Sequence, residues 1–363
     1  MFKLLANLRS FLKSRNVTTD SVVFRMHNVF TTTLLMSCSL VITANQFVGN
    51  PIYCLGDIKA YKNFINTFCW ITSTFTMPDA YQRQVGKEVA AYGVANDFGR
   101  IEDRRYHTYY QWVCFVLFFQ ALLCYTPGFL WKIFEGGLMN TLVMGLNLGI
   151  CSEKEKDAKK KAILGYLKRY IHNHNLYAIR YWFCELLCFI NIIGQLYLMD
   201  RFFDGEFLTY GWKVLNMSSD NQENRMDPMV YIFPRMTKCT FHKFGPSGSI
   251  QLHDSLCLLP LNIVNEKTYI FIWFWYAILL ALLTLLLIYR IAIIFYPRVR
   301  SKLMKARNRA IPYEVCESIT RNCGFGDWWV LYVLGMNMDP LIYREIIMEL
   351  SKKIDPHSNR LTH

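Results

Sequence analysis

Charge is scarce in this sequence: 18% of its 363 residues are Asp, Glu, Lys or Arg, against 53% hydrophobic and 16% aromatic. Soluble domains carry about 25% charged residues, so this balance points away from a soluble globular protein. Catalytic signatures are missing as well. There is no glycine-rich phosphate loop, no His-Glu-x-x-His pair and no nucleophile elbow, which leaves no reason to expect an enzyme. Metal ligands at useful spacing are also lacking. His172 and His174 have no acidic pair near them in sequence, His242 and His253 have no third ligand, and Cys184 and Cys188 lack the further ligands zinc requires. No metal and no cofactor is expected. The sequence has no internal repeat and no low-complexity tract.

What the chain does have is four long apolar segments, at 28–47, 110–130, 179–199 and 269–295. Each reaches the roughly 20 residues that a spanning helix needs. The first is no cleaved leader, because it is too long for a signal core and no small-x-small site follows it. The segments leave an N-terminal piece (1–27), three loops (48–109, 131–178 and 200–268) and a tail (296–363). The N-terminal piece, middle loop and tail together hold 24 Lys and Arg against 12 Asp and Glu, whereas the other two loops hold 14 of each. The positive-inside rule therefore puts both termini and the middle loop in the cytosol, with loops 48–109 and 200–268 outside. The formal net charge of +13 then lies beside the membrane, so membrane lipid is the expected partner and nucleic acid is not.

Of the 12 cysteines, the outer loops hold four: Cys54 and Cys69 in one, Cys239 and Cys257 in the other. An even number in an oxidising compartment predicts two disulfides, with the pairing open at this point. The remaining Cys38, Cys114, Cys124, Cys151, Cys184, Cys188, Cys316 and Cys323 read as small buried apolar side chains or idle thiols.

The four segments differ in character. The last is apolar all round and should face lipid broadly. In the first, Thr32, Met36, Ser39, Thr43 and Gln46 fall on one helical stripe. Two readings of that stripe stand: a pore-facing surface, or close helix packing through small hydroxyl residues. Tyr109, Tyr110 and Trp112, like Trp273 and Trp275, read as interfacial belts at the outer ends. Arg180 and Glu185 lie near the cytosolic end of the third segment, poorly spaced to pair with each other. A partner on another helix is expected for Glu185, rather than a role in conduction.

On the cytosolic side, Leu4, Leu5, Leu8, Phe11 and Leu12 recur at helical spacing, with Lys3, Arg9, Lys13 and Arg15 elsewhere on the wheel. This short amphipathic helix either lies on the bilayer surface or folds back into a pore mouth. A second one carries Ile163, Leu164, Leu167, Tyr170 and Ile171 behind the basic run Lys159, Lys160, Lys161, whose charges read as a solvated face. The tail, around Gly324, Gly326, Asp327, Trp328 and Trp329, reads as a small helical domain, with Pro312 and Pro340 at helix starts. Of two glycosylation sequons, Asn16 falls on the cytosolic side and is a decoy. Asn216 lies in a polar run of the second outer loop and is the candidate acceptor. The fold class expected is an all-α membrane protein: four transmembrane helices, two disulfide-linked extracellular loops and a helical cytosolic domain.

Tyr109-Tyr110-Gln111-Trp112-Val113 resembles the signature pentapeptide of innexins, the gap-junction proteins of invertebrates. The stretch 237–267, with Cys239, Thr240, Phe241, Gly245, Pro246, Ser247, Gly248, Cys257, Leu259, Pro260, Leu261 and Asn262, resembles their second extracellular loop. Pro51 ahead of Cys54 and Pro127 in the second span fit the same pattern. The resemblance covers nearly the whole chain. Connexins carry three cysteines per loop where this chain has two, and the Cys-Cys-Gly of tetraspanins is absent. The resemblance implies a plasma-membrane subunit of gap junctions that assembles with copies of itself into an octameric ring, and heteromerically with other innexins. Such a ring docks to a ring in the apposed cell, passes ions and small metabolites, and also works undocked as a hemichannel. The segment from Met1 to about Thr18, with Phe2, Lys3 and Leu5, would line the cytosolic funnel, and the first span with residues 45–62 the rest. The resemblance also implies the pairing: Cys54 with Cys257, and Cys69 with Cys239. Two alternatives remain, a pannexin-like release channel that never docks and a pore-less adhesion protein.

Overall fold

The computed structural model describes residues 17–55, 62–96, 104–143, 146, 153–216 and 227–354. Expectations for Phe2, Lys3, Leu5, Asn16 and Cys151 lie outside these residues. In chain order the structure begins with α1 (Val22–Val48), β1 (Tyr53–Leu55), α2 (Lys62–Thr72), β2 (Thr74–Thr76) and β3 (Arg105–His107). There follow α3 (Val113–Glu135), α4 (Leu138–Val143), α5 (Glu153–Arg169), α6 (Asn175–Phe202), α7 (Phe207–Asn216) and α8 (Pro228–Ile232). Strands β4 (Met236–Phe244) and β5 (Ile250–Leu258) lead into α9 (Leu261–Phe295), and α10 (Pro297–Arg307), α11 (Tyr313–Asn322), α12 (Phe325–Asn337) and α13 (Pro340–Ile354) complete the tail.

Helices α1, α3, α6 and α9 are long and apolar enough to cross a membrane, with 27, 23, 28 and 35 residues. At 1.5 Å per residue, α9 is about 50 Å long, well beyond the roughly 30 Å of a hydrocarbon core. It starts eight residues before the apolar run, and those first turns bury Asn262, Asn265 and Glu266 in protein. Helix α1 likewise starts before its apolar run. Ser21 caps it by accepting from the Phe24 amide at 3.3 Å, and Met26–Thr31 forms a π turn inside it. Within α3, Pro127 offers no amide hydrogen, and the next amide, Gly128 N, donates to Asn28 Oδ1 at 3.1 Å. A Cβ on Gly128 would lie 3.0 Å from Asn28, so this contact between α1 and α3 is made over a bare backbone.

The chain folds as two units. One comprises 32–122 and 192–278, the other 1–31, 123–191 and 279–363. The first contains a five-stranded antiparallel sheet in the order β1-β5-β4-β2-β3. The sheet adds to an otherwise helical chain. Its centre is the β4–β5 hairpin, nine residue pairs long, closed by the turn that Gly245, Pro246, Ser247 and Gly248 announce. Gly248 stands at φ +79°, a left-handed conformation open to glycine at little cost.

The second unit holds the tail. Pro312 caps α11 and Pro340 opens α13. At the start of α12, Asp327 accepts from the amide of Gly324 at 3.1 Å and from that of His172 at 2.9 Å. His174 Nδ1 lies 2.7 Å from the same carboxylate. Burial alone would raise the Asp327 pKa, but the His174 contact and the two amides hold it below the ordinary carboxylate value. Sequence distance hid this pair, because His174 and Asp327 are 153 residues apart. Ile163, Leu164 and Leu167 of α5 are buried, while Tyr170 is exposed beyond the helix end. Lys160 is not simply solvated: it pairs with Glu345 on α13.

Candidate functional site

The four loop cysteines come together in one unit. Pairing of β1 with β5 sets Cys54 opposite Cys257, and the two form a disulfide with their Cα atoms 4.0 Å apart. Cys69, on α2, joins Cys239 on β4 across a Cα separation of 5.9 Å. Each bridge links one loop to the other, over 203 and 170 residues of sequence. Around them Ile52, Ile65 and Leu259 form a buried core, with Phe68 and Trp70 packed against it. Cross-links at that sequence distance remove much of the unfolded chain's freedom and make one body of two loops. The far end of the hairpin is different: Phe244, Ile250 and Leu252 are all more than half exposed. Among the described residues, the one cluster at metal-ligand spacing is Cys54, Cys69 and Cys257. Its sulfurs are consumed by the disulfides, so it offers no thiolate to an ion.

The pentapeptide at 109–113 holds this body. Tyr110 Oη donates to the Cys69 carbonyl at 3.4 Å, and its ring packs on Trp70 at 4.6 Å. Gln111 Nε2 donates to the carbonyls of Trp70 and Ile71. The carbonyls that end α2, left without helical partners, are thus capped by the residues leading into α3. Tyr109 is enclosed by Phe202, Phe203 and Phe233. The interfacial-belt reading is corrected here: Tyr110 is fully buried, and only Trp112 is well exposed. Trp273 is corrected as well. Its indole donates to Leu208 O at 3.2 Å and lies where a Cβ on Gly211 would be, so it docks α7 onto α9.

The stripe on the first span is divided by the structure. Ser39 is buried and donates to Cys114 O at 2.9 Å, and Thr32 Oγ1 reaches Ala121 O at 3.5 Å. Both contacts are to α3, so for these two residues the pore-facing reading gives way to helix packing. Met36, Thr43 and Gln46 are partly buried. The open face lies beside the stripe, at Ser37, Leu40, Val41, Ala44, Asn45 and Val48. Helices α3 and α6 instead expose large apolar groups such as Phe115, Phe118, Phe119, Ile190 and Ile193. Asn216, the candidate glycan acceptor, ends α7 and is exposed.

Glu185 has the interhelical partner expected of it, and that partner was missed. Arg290 on α9 meets it with Nε 2.6 Å from Oε2 and Nη2 2.7 Å from Oε1. Ser21 Oγ donates to the same carboxylate at 3.0 Å. The guanidinium lies 4.5 Å over the Trp329 ring, a cation–π contact that a dry site strengthens. Arg180 stands apart, exposed, over the Phe134 ring at 5.6 Å.

Comparison with known proteins agrees with this architecture. A family model described as Innexin matches residues 20–354. Innexin inx1 of Schistocerca americana is 62% identical over 99% of both chains. Innexin inx1 of Drosophila melanogaster is 61% identical over 98% of both. Innexin shaking-B of Drosophila melanogaster is 49% identical over 98% of this chain and 95% of its own. With four spans, two loops tied by disulfides and likeness over its full length, the chain belongs to the innexins, the plasma-membrane proteins that form oligomeric gap-junction channels.

Proposed function

We propose that this chain builds an intercellular channel: copies assemble into an octameric ring, which docks to a ring in the apposed cell and passes ions and small metabolites. Both termini and the tail are cytosolic, a reading that the Lys and Arg distribution supports, and the disulfide-tied loops face the neighbouring cell. The observation that carries the reading is the pair of inter-loop bridges, Cys54–Cys257 and Cys69–Cys239. They stiffen a hairpin whose tip exposes Phe244, Ile250 and Leu252. A rigid apolar tip loses little freedom on meeting a partner, which is what docking two preformed surfaces needs.

The pore is lined by the open face of α1, where Ser37, Ala44 and Asn45 stand among Leu40, Val41 and Val48, and by the N-terminal segment at the cytosolic mouth. Undocked rings act as hemichannels. Rings mixed with other innexins are part of the same reading, supported by relatives that match this chain over nearly its whole length. A glycan on Asn216, which opens a polar run ahead of the hairpin in sequence, leaves docking intact, so Asn216→Gln keeps the coupling of the parent.

Dye uptake by single cells and dye transfer between paired cells, each expressing this chain alone, test the reading. Transfer supports an intercellular channel. Uptake without transfer makes the chain a release channel, and neither makes it an adhesion protein.

A further inference from the structure

The last span runs out into concentrated positive charge. Between 297 and 313 the chain holds six Lys and Arg and no Asp or Glu. Helix α10 follows α9 after Tyr296, its cap, with Pro297 first in the helix. Arg298, Lys302 and Lys305 fall at i, i+4 and i+7, on one face. Arg298 and Lys302 are exposed, as are Arg307 and Arg309 further on. Among the described residues, no carboxylate lies within ion-pair distance of these four. Lys305 is spent differently, because its Nζ donates to the carbonyls of Arg309 and Ile311 at 2.8 and 2.6 Å.

Arg300 is an independent observation at the same place. It is 9% exposed and lies with Ser301 and Met304 on the buried face of α10, which packs against α11 and α12. Its Nη2 donates to Ile294 O, in the last turn of α9, at 3.4 Å, and its Nε is buried without a partner. Burial lowers its pKa from the ordinary guanidinium value. Arg290, also buried, has Glu185 beside it, whereas Arg300 has no carboxylate among the described residues. A buried cation is costly unless an anion completes it.

We propose that α10 binds the headgroup of a multiply phosphorylated phosphoinositide in the cytosolic leaflet, with Arg298 and Lys302 as its exposed cations and Arg300 at the junction with the span. This rests on the cytosolic placement of the tail proposed above. Arg298 and Lys302 lie in the first six residues of the helix, within about 9 Å along its axis. That is close to the screening length of about 8 Å in physiological salt, so both feel the field of an anionic leaflet. A headgroup bearing several negative charges matches several cations that lack carboxylates, and phosphate oxygens suit the guanidinium fork. An acidic protein fits less well. Partners that seize a basic amphipathic helix take its apolar face, and here Met304 on that face is packed inside the tail.

The test titrates short-chain phosphatidylinositol bisphosphate into the full-length protein in phosphatidylcholine nanodiscs, by calorimetry, with protein-free nanodiscs as the blank. Both leaflets are open to the titrant, so binding does not depend on which side of a cell α10 occupies. Arg298→Gln combined with Lys302→Gln is expected to weaken binding at least tenfold, since each cation near an anionic surface is worth about fivefold. Lys352→Gln with Lys353→Gln removes the same charge from the end of α13 and should bind within twofold of the parent. Should the first pair not fold, its single variants are read, each expected to lose about fivefold. Variants at Arg298 and Lys302 that bind as the parent does overturn the proposal. Phosphatidylserine binding as tightly at matched total charge also overturns it, and makes α10 a general contact for anionic lipid. Polyglutamate binding as tightly as the lipid, with the same loss in the variants, assigns the face to an acidic protein instead. Placement is read apart from binding, with a C-terminal epitope. Staining only after permeabilisation supports the cytosolic leaflet, and staining of intact cells overturns the placement and the inference with it, whatever the nanodiscs show.

Discussion

Arg290 and Glu185 form a two-pronged ion pair between α9 and α6, with the Glu185 side chain wholly buried and that of Arg290 6% exposed. An ion pair inside a spanning region is expensive to desolvate and is kept only with good geometry and further hydrogen bonds. Here Ser21 supplies such a bond and Trp329 covers the guanidinium. The pair thus ties two spans to the start of the first span and to the tail.

Removing one partner should be worse than removing both. Glu185→Ala leaves a buried guanidinium uncompensated, at a cost of about 3–5 kcal/mol. Combining Glu185→Leu with Arg290→Met should cost less than Glu185→Ala. Thermal unfolding of the purified protein in detergent measures the order. Additive losses in the double variant would show that the two charges do not act as a pair.

The bridges make a prediction about independence. In Cys54→Ser, peptide mapping without reductant should still find Cys69 joined to Cys239, because α2 stays anchored by Tyr110 and Gln111. The loop body should lose about 2–5 kcal/mol, and docking should be abolished with membrane insertion intact. Recovery of Cys69 linked to Cys257 would contradict the assigned roles.

His107 should make the loop body acid-sensitive. It is buried beside Thr76, with Nε2 2.8 Å from Oγ1. Burial first, and the nearby Arg105 second, push its pKa down to about 3 from 6.5. A depressed histidine gives stability that is full above its unfolded pKa and is lost as pH falls from about 6.5 toward 3. At pH 4.5 the loss should reach about 2–3 kcal/mol. His107→Gln, which keeps a hydrogen-bonding side chain without this titration, should flatten that part of the pH–stability curve. Equal slopes in parent and variant would remove His107 from the account.

Gly211 tests the docking of α7. A Cβ there would lie 2.1 Å from the Trp273 ring, inside any tolerable contact, and the indole is held by Leu208 O. Gly211→Ala should therefore destabilise by about 1–3 kcal/mol. Trp273→Leu in the same background should recover part of the loss. A Gly211→Ala protein as stable as the parent would mean that the indole moves freely.

The spans were legible because a bilayer imposes a length and an absence of charge that any window along the sequence reveals. The need for a partner at Glu185 was legible on the same ground, since a lone carboxylate there is costly. Arg290 was not, because the Leu-rich run around it made the last span read as uniform. The sheet was hidden for a different reason. Its strands β1, β2 and β3 are three residues each, too short for alternation to register, and their partners lie up to 205 residues away, as Leu258 does from Tyr53. The stripe on the first span had the right period. Helical spacing groups residues on a face, but it does not say which neighbour that face meets, and Ser39 meets Cys114.

Junctional current between two coupling-deficient cells, each expressing only this chain, reads intercellular conduction by this protein alone. The expected result is a conductance between the cells that vanishes with Cys54→Ser or Cys239→Ser in either cell, while both variants still reach the surface. A chain that reaches the surface of both cells with its disulfides formed, yet passes no current between them, would contradict it.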